Sequence, residues 1–147
     1  MPDHFKFSTE VRVRLPETDA MGIVFHGAFF TYLEVGRMDY LRNLGLVGSH
    51  RQPIKDFANV VARACCDFRS SVGFDDPLVI HVRMAEIKHS SFRFEFVLMH
   101  RQEARVVAEG HTVHVAIDAA TKRPIAVPAA FRERIRKFEG ASLAESS

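Results

Sequence analysis

The stretch ETDAMGIVFHG, residues 17–27, joins two segments of opposite character. Before it, residues 5–15 alternate apolar and polar side chains, which predicts a half-buried strand. After it, residues 27–44 carry apolar side chains on more than one face, which predicts a buried helix. Asp19 places a carboxylate in the junction, and His26 and Gly27 stand where the helix should begin. A helix N-terminus offers unpaired N–H groups and partial positive charge, so the junction can polarise a carbonyl beside a carboxylate.

The rest of the chain reads as four strands and a short helix. Strand-like runs lie at about 57–71, 77–88, 91–102 and 105–118, and tight turns are predicted at 88–91 and 101–104. Residues 46–56 read as a loop. From Pro128 onward, apolar residues at 131, 135 and 138 predict a short amphipathic helix. This order predicts an α+β protein, in which a five-stranded antiparallel sheet wraps around one long central helix.

The chain length fits a single domain. With 147 residues it can bury a real core, and we assign residues 1–138 to one domain. Residues 139–147 are small and polar, which predicts a flexible C-terminal tail.

Composition excludes several classes of protein. The net charge is +2 and the basic residues are spread out, which argues against nucleic-acid binding. The sequence contains no run of about 18 apolar residues, so no membrane span is predicted, and the first residues do not show the pattern of a signal peptide. Cys65 and Cys66 are neighbours on a predicted strand, so they face opposite ways and are expected to be small buried residues without a disulfide. We therefore expect a cytoplasmic protein.

Several motifs together resemble the hotdog fold, and within it the 4-hydroxybenzoyl-CoA thioesterase family with its short-chain acyl-CoA thioesterase branch. The similarity rests on TDAMGIVFH at 18–26, on YLEVGR at 32–37 with Leu41, on KHSSF at 88–92 and on IAVP at 125–128. It spans roughly residues 5–138. The junction motif is the most specific of these, whereas the turn is weak alone.

The resemblance implies a function, which is hydrolysis of acyl-CoA thioesters to free acid and CoA. Asp19 takes the position of the catalytic carboxylate, as nucleophile or general base, and the backbone N–H groups of His26 and Gly27 take that of the oxyanion donors. CoA is part of the substrate, and no cofactor is implied. The family forms dimers or tetramers with sites at subunit interfaces. The substrate-binding positions implied are Asn59, Val61 and Arg63, contributed by the second subunit, and Lys88, His89, Ser90 and Ser91 in the turn.

Plainer interpretations stand beside these. Asp19 suits a turn or a helix cap, and residues 88–91 suit an ordinary solvated turn. Glu34 and Arg37 favour a structural ion pair. His111 and His114 lie three apart on a strand and face opposite ways, so we expect no metal site.

Two other functions remain as alternatives. A hotdog protein that binds an acyl-CoA or an acyl carrier without turnover is one, although it does not need Asp19. A hydratase of the same fold carries an Asp-x4-His pair, which the Asp19-x6-His26 spacing does not match.

Overall fold

The computed structural model describes residues 3–147, which form one long helix, one shorter helix and an antiparallel sheet. The elements in chain order are β1 (Phe7–Arg12), α1 (Ala28–Asn43), β2 (Val47–Ser49), β3 (Gln52–Ile54), β4 (Ala58–Phe68), β5 (Pro77–Ile87), β6 (Ser91–His100), β7 (Val106–Ile117), α2 (Ala129–Glu139) and β8 (Ala144–Glu145). Each predicted long strand and both predicted helices are present, which confirms the α+β class.

The main sheet has the strand order β1-β5-β6-β7-β4, and all of these pairings are antiparallel. The five-stranded antiparallel sheet is therefore confirmed, and a sixth, two-residue strand, β8, adds to it in parallel with β5. Strand β6 alternates in burial, and β5 is buried at most of its positions, so the inner face carries fully buried aliphatic and phenylalanine side chains.

Helix α1 packs on this buried face. A Cβ atom on Gly36 would lie 2.7 Å from Ile80 Cγ2, so glycine at this position allows the helix to approach β5 closely. The Tyr40 ring makes edge contacts with Phe7 on β1 and Phe94 on β6. The sheet therefore wraps around α1 as the sequence predicts.

Local details of α1 also agree with the sequence. Arg37 donates hydrogen bonds of 2.8 and 2.5 Å to Glu34, which confirms the predicted ion pair. The loop predicted at 46–56 is different, because it contains the short hairpin β2–β3. Ile54 pairs with Val47 and is buried, and Leu46 and Val47 also pack against the core, which orders this segment.

The C-terminal residues are not the free tail that was predicted for 139–147. Glu139 is completely buried, and residues 140–147, here called the C-terminal strap, lie against the domain. Leu143 packs on the core, while Ala144 and Glu145 pair with β5. A small, polar composition predicted fraying, but Leu143, the carboxylate of Glu145 and the pairing with β5 dock the strap.

Strand β4 forms one edge of the sheet and is unusually exposed. Val60 and Val61 are 47% and 56% exposed, and within residues 3–147 no strand pairs with the outer edge of β4. Cys65 and Cys66 on this strand are free thiols and only half-buried, so the prediction of buried cysteines was wrong. None of the helices within residues 3–147 is long and apolar enough to cross a membrane.

Candidate active site

The junction between β1 and α1 folds into a tight loop that holds Asp19 at its start. The Asp19 N–H donates to the carbonyl oxygen of Ile23 at 2.8 Å, and the Gly22 N–H donates to that of Asp19 at 3.0 Å. Gly22 has a φ of +80°, which favours glycine in this turn. Asp19 Oδ1 accepts the Met21 N–H at 2.8 Å, while Oδ2 accepts no hydrogen bond within residues 3–147. Asp19 is therefore a turn residue with one carboxylate oxygen left over.

The first turn of α1 begins immediately after His26 and Gly27. The N–H groups of Ala28 and Phe29 donate to the carbonyl oxygens of Phe25 and His26 at 2.9 and 3.2 Å. The N–H groups of His26 and Gly27 have no acceptor within the described residues. Two backbone donors and the positive end of the helix are therefore free at this point.

One cavity of about 360 Å³ connects these groups. Asp19 and His26 both line it, together with an apolar wall that includes Phe29 and Phe68, whose ring centres are 5.2 Å apart. The other lining residues are Ile23, Val24, Arg69, Ser70 and Ser71. The structure thus brings two of the sequence-predicted catalytic residues to one pocket with a carboxylate, a helix N-terminus and aromatic surface.

Three side chains with no role assigned from the sequence, Arg14, Glu17 and Tyr32, fix the junction. The Tyr32 hydroxyl donates to Glu17 Oε1 at 2.8 Å, and Arg14 donates to Glu17 Oε2. Burial acts to raise the pKa of Glu17, but the hydrogen bonds from Arg14 and Tyr32 outweigh it and leave that pKa lowered. The Glu17 carbonyl oxygen accepts the Phe25 N–H at 2.9 Å. Glu17 and Tyr32 both lie in conspicuous motifs of the sequence, but nothing in their spacing predicts that they bond to each other.

The β4 candidates do not lie together. Asn59 Oδ1 lies 3.1 Å from Nδ1 of His114, which is buried, and Val61 pairs with His114. A bulge follows Val61, so Arg63 pairs with Val113 and faces the opposite side of the sheet. Asn59 and Val61 therefore face α1, whereas Arg63 faces away from it.

Arg63 instead lines a cavity together with residues of the predicted substrate-binding turn at 88–91. The Lys88 N–H donates to the carbonyl oxygen of Ser91 at 2.8 Å, which closes the turn predicted at 88–91. Arg63, Lys88, Ser91, Arg93 and His111 share a cavity of about 200 Å³, whose other lining residues are Glu86, Phe92 and Val113. His89 lines a different cavity, and Ser90 lines neither of these two. This side of the turn is therefore basic.

The turn and the Asp19 cavity are at opposite ends of the same sheet. The Asp19 loop contacts the Pro77 end of β5, since Ile23 bridges to Gly73 and Val13 bonds to Asp76. Lys88 follows the other end of that strand, at Ile87. Ten steps along a strand span roughly 33 Å. One chain therefore does not bring all its candidate residues into one pocket.

Histidines do not assemble into a metal centre within the described residues. Among residues 3–147, no group of three or more His, Cys, Asp or Glu side chains is placed to hold a metal ion. His111 lines the basic cavity, whereas His114 is 1% exposed and stacks against Phe92 on the α1 side of the sheet. The two therefore lie on opposite faces, as predicted.

Comparison with known proteins agrees with this architecture. A family model described as the thioesterase-like superfamily matches residues 13–135. The chain belongs to the thioesterase-like superfamily. It is 31% identical to the acyl-CoA thioesterase YbgC of Haemophilus influenzae over 123 residues, covering 83% of this chain and 88% of that protein. It is 30% identical to a protein named as an esterase in Aquifex aeolicus over 106 residues, covering 72% of this chain and 80% of that one.

Solved structures of the same superfamily share the fold. A thioesterase from Thermus thermophilus, crystallised with coenzyme A and Zn, is 28% identical with a TM-score of 0.79, covering 94% of this chain and 97% of that one. A 1,4-dihydroxy-2-naphthoyl-CoA thioesterase from Synechocystis has a TM-score of 0.80 at 23% identity, covering 88% and 94%. The predicted hotdog fold and thioesterase resemblance are confirmed, and this member of the thioesterase-like superfamily is a thioester hydrolase.

Proposed function

We propose that the protein hydrolyses acyl-CoA thioesters to free acid and CoA, with Asp19 as nucleophile or general base. The N–H groups of His26 and Gly27 act as oxyanion donors. One observation carries this proposal: Asp19, with a free carboxylate oxygen, and His26, whose N–H has no acceptor within the described residues, line a single partly apolar cavity at the start of α1.

The chemistry follows from that placement. A thioester carbonyl oxygen at the start of α1 gains negative charge as the carbonyl carbon is attacked, and the helix N–H groups stabilise that charge. As a nucleophile, Asp19 Oδ2 displaces the CoA thiolate and forms a mixed anhydride, which water then hydrolyses. As a general base, Asp19 instead takes a proton from the water that attacks. Both routes use the same geometry.

The acyl group lies on the apolar wall of the cavity. Phe29 and Phe68 offer flat surfaces that accept a linear or an aromatic acyl group. A second, smaller cavity of about 140 Å³ lies between α1, from Phe30 to Arg37, and β4. The YbgC relative from Haemophilus influenzae, an acyl-CoA thioesterase by name, supports the acyl-CoA class of substrate.

A second copy of the chain completes the site. The exposed valines of β4 and its open edge favour pairing with another strand, because an unpaired edge of 11 residues is a template for association. In a two-fold dimer the two β4 strands run antiparallel. The Asn59 end of one strand then meets the Phe68 end of the other, beside the Asp19 cavity. The partner subunit's Arg63 and the partner subunit's Lys88 approach the CoA end of the substrate in this way, and two such dimers would give the tetramer.

We place the enzyme in the cytoplasm. Cys65 and Cys66 are both free thiols, which is typical of a reducing compartment. This location is a part of the proposal that fractionation of the native protein tests.

The proposal is tested by free-thiol release from a panel of acyl-CoAs, measured for the wild type and Asp19→Asn. Asparagine keeps the side-chain shape and the Met21 hydrogen bond but removes the nucleophilic or basic oxygen. We expect kcat to fall by about 10² or more, the contribution of a positioned general base, while calorimetry shows that a non-hydrolysable acyl-CoA analogue still binds. His26→Ala is the comparison variant, and it should lose less because its backbone N–H remains.

Three outcomes contradict this assignment. Full turnover by Asp19→Asn would remove Asp19 from the chemistry. Loss of analogue binding together with turnover would make it structural. An absence of thiol release by the wild type across the panel, with the analogue still bound, would favour the binding protein over the enzyme.

A further inference from the structure

Two arginines of α2 hold a carboxylate of the C-terminal strap, that of Glu145. Glu145 Oε1 accepts from Arg136 Nε at 2.8 Å, and Glu145 Oε2 accepts from Arg136 Nη2 at 2.8 Å and from Arg132 Nη1 at 3.0 Å. These hydrogen bonds, first from Arg136 and then from Arg132, lower the pKa of Glu145 to about 2. Two guanidinium groups that converge on one anion form the arrangement that also binds phosphate.

This arginine pair adjoins the turn at 88–91. Arg132 Nη2 donates to the Lys88 carbonyl oxygen at 2.7 Å, so its guanidinium lies against the turn. Arg132, Arg136 and His89 line a cavity of about 390 Å³ together with Glu145 and the end of the strap. The turn therefore has a basic cavity on each side, and on this side the acid lining the cavity belongs to the strap.

We propose that Glu145 is an internal ligand of an anion-binding site formed by Arg132 and Arg136, and that the phosphates of CoA take this site when the strap releases it. The inference rests on the proposed function, since it treats the turn at 88–91 as part of the CoA-binding surface. The strap is then an autoinhibitory contact that competes with the nucleotide end of the substrate.

The strap is attached in a way that allows release. Its strand β8 has two residues. Beyond it, the Ser146 N–H donates to the Ile87 carbonyl oxygen at 2.9 Å, and Arg132 Nη1 donates to the Ser146 carbonyl oxygen at 3.2 Å. Leu143, in contrast, packs on the core and holds the preceding turn in place. Residues 144–147 can therefore leave while Leu143 stays. A phosphate monoester carries more negative charge than a carboxylate and offers three acceptor oxygens, so it competes well for the same two arginines.

The test measures binding of adenosine 3′,5′-bisphosphate, which carries phosphates of the CoA nucleotide without any acyl group. Calorimetry compares the wild-type protein with Glu145→Gln, and with Glu133→Gln as the matched control. Glu133 also contacts Arg136, but from within α2 rather than from the strap. We expect Glu145→Gln to bind about threefold to fivefold more tightly, as loss of an exposed competing ion pair permits, and Glu133→Gln to change affinity by less than about twofold. Adding Arg136→Gln to Glu145→Gln should remove the gain.

A chain that ends after Leu143 supplies the second variant, which removes β8 and the strap carboxylate together. It should reproduce the gain seen with Glu145→Gln. Unchanged or weaker affinity in both variants would mean that the arginines only clamp the strap, and the proposal would be overturned. This outcome is distinct from failure of the proposed function, because thiol release by the wild-type protein does not enter the binding measurement.

Discussion

The two ends of the sheet carry opposite chemistry. At one end, Asp19 and the start of α1 combine a free carboxylate oxygen with unpaired N–H groups and aromatic surface. At the other end, Arg63, Lys88 and Arg93 line a basic cavity. The first suits a thioester carbonyl and an acyl group, and the second suits phosphates. Because a single chain separates them by the length of β5, we infer that the reacting end and the phosphate end of one substrate contact different copies.

The largest effect should follow from blocking the edge of β4. Val60→Lys combined with Ala62→Lys adds charge to an exposed edge, and charged edges resist strand pairing. We expect a monomer by light scattering and a fall in kcat/KM of roughly a hundredfold, the cost of misplacing groups around a substrate. Neither residue lines the Asp19 cavity, so the loss would come from assembly.

The opposite edge of the sheet provides the control. Ser8→Lys adds an exposed charge to β1, and we expect it to leave both the oligomeric state and kcat/KM unchanged. A wild-type monomer at micromolar concentration, or a monomeric β4 variant with full activity, would contradict the shared site.

His114, at the end of the sheet that carries Lys88, should make the stability of the protein depend on pH. Burial, together with the nearby charge of Arg37, lowers the pKa of His114 to about 4 from an unfolded value near 6.5. Between these values the unfolded chain binds more protons, so the free energy of unfolding falls as the pH drops from about 6.5 to 4, by up to roughly 3 kcal/mol. Urea unfolding at a series of pH values measures this slope, and His114→Asn should flatten it.

Glu139 gives the matched comparison of opposite sign. Burial raises its pKa even though the Tyr40 hydroxyl and the Met84 N–H donate to it. Its contribution to stability is complete below the unfolded pKa and is lost as the pH rises through the folded pKa, so Glu139→Gln should remove that loss. If His114→Asn leaves the fall in unfolding free energy between about pH 6.5 and 4 unaltered, groups other than His114 cause that fall.

The smallest effect concerns the turn. Lys88 is exposed, so its attraction for CoA phosphates is screened by salt. Lys88→Ala should raise KM by about threefold to fivefold with little change in kcat, and KM in the variant should depend less on salt. Steady-state kinetics at two ionic strengths measure this. If KM depends on salt equally in both proteins, Lys88 does not contact the CoA phosphates and the turn is an ordinary solvated turn.

Much of the fold could be predicted because its signals are local. Alternation fixed the strands, and the broad apolar surface of residues 27–44 required a sheet around the helix. The Asp19 junction was also predictable, since a turn carboxylate and a helix start are adjacent in sequence. The orientation of Arg63 was not predictable. A bulge after Val61 turns Arg63 to the opposite face of the sheet, and a bulge leaves little trace in the amino-acid composition. The strap was missed because Glu145 depends on arginines that only the folded helix α2 brings to it.

The proposed shared site takes its catalytic carboxylate and its phosphate-binding residues from different protomers. The test uses two variants of low activity. One is Asp19→Asn, and the other combines Arg63→Ala with Lys88→Ala. The two proteins are mixed, allowed to exchange subunits and assayed at a substrate concentration well below KM. A statistical 1:1 mixture of dimers then holds about one intact site in four. We predict activity near a quarter of the wild-type value, well above the mean of the two separate variants. Activity equal to that mean after verified exchange would show that each chain carries its own complete site, and the shared site would be wrong.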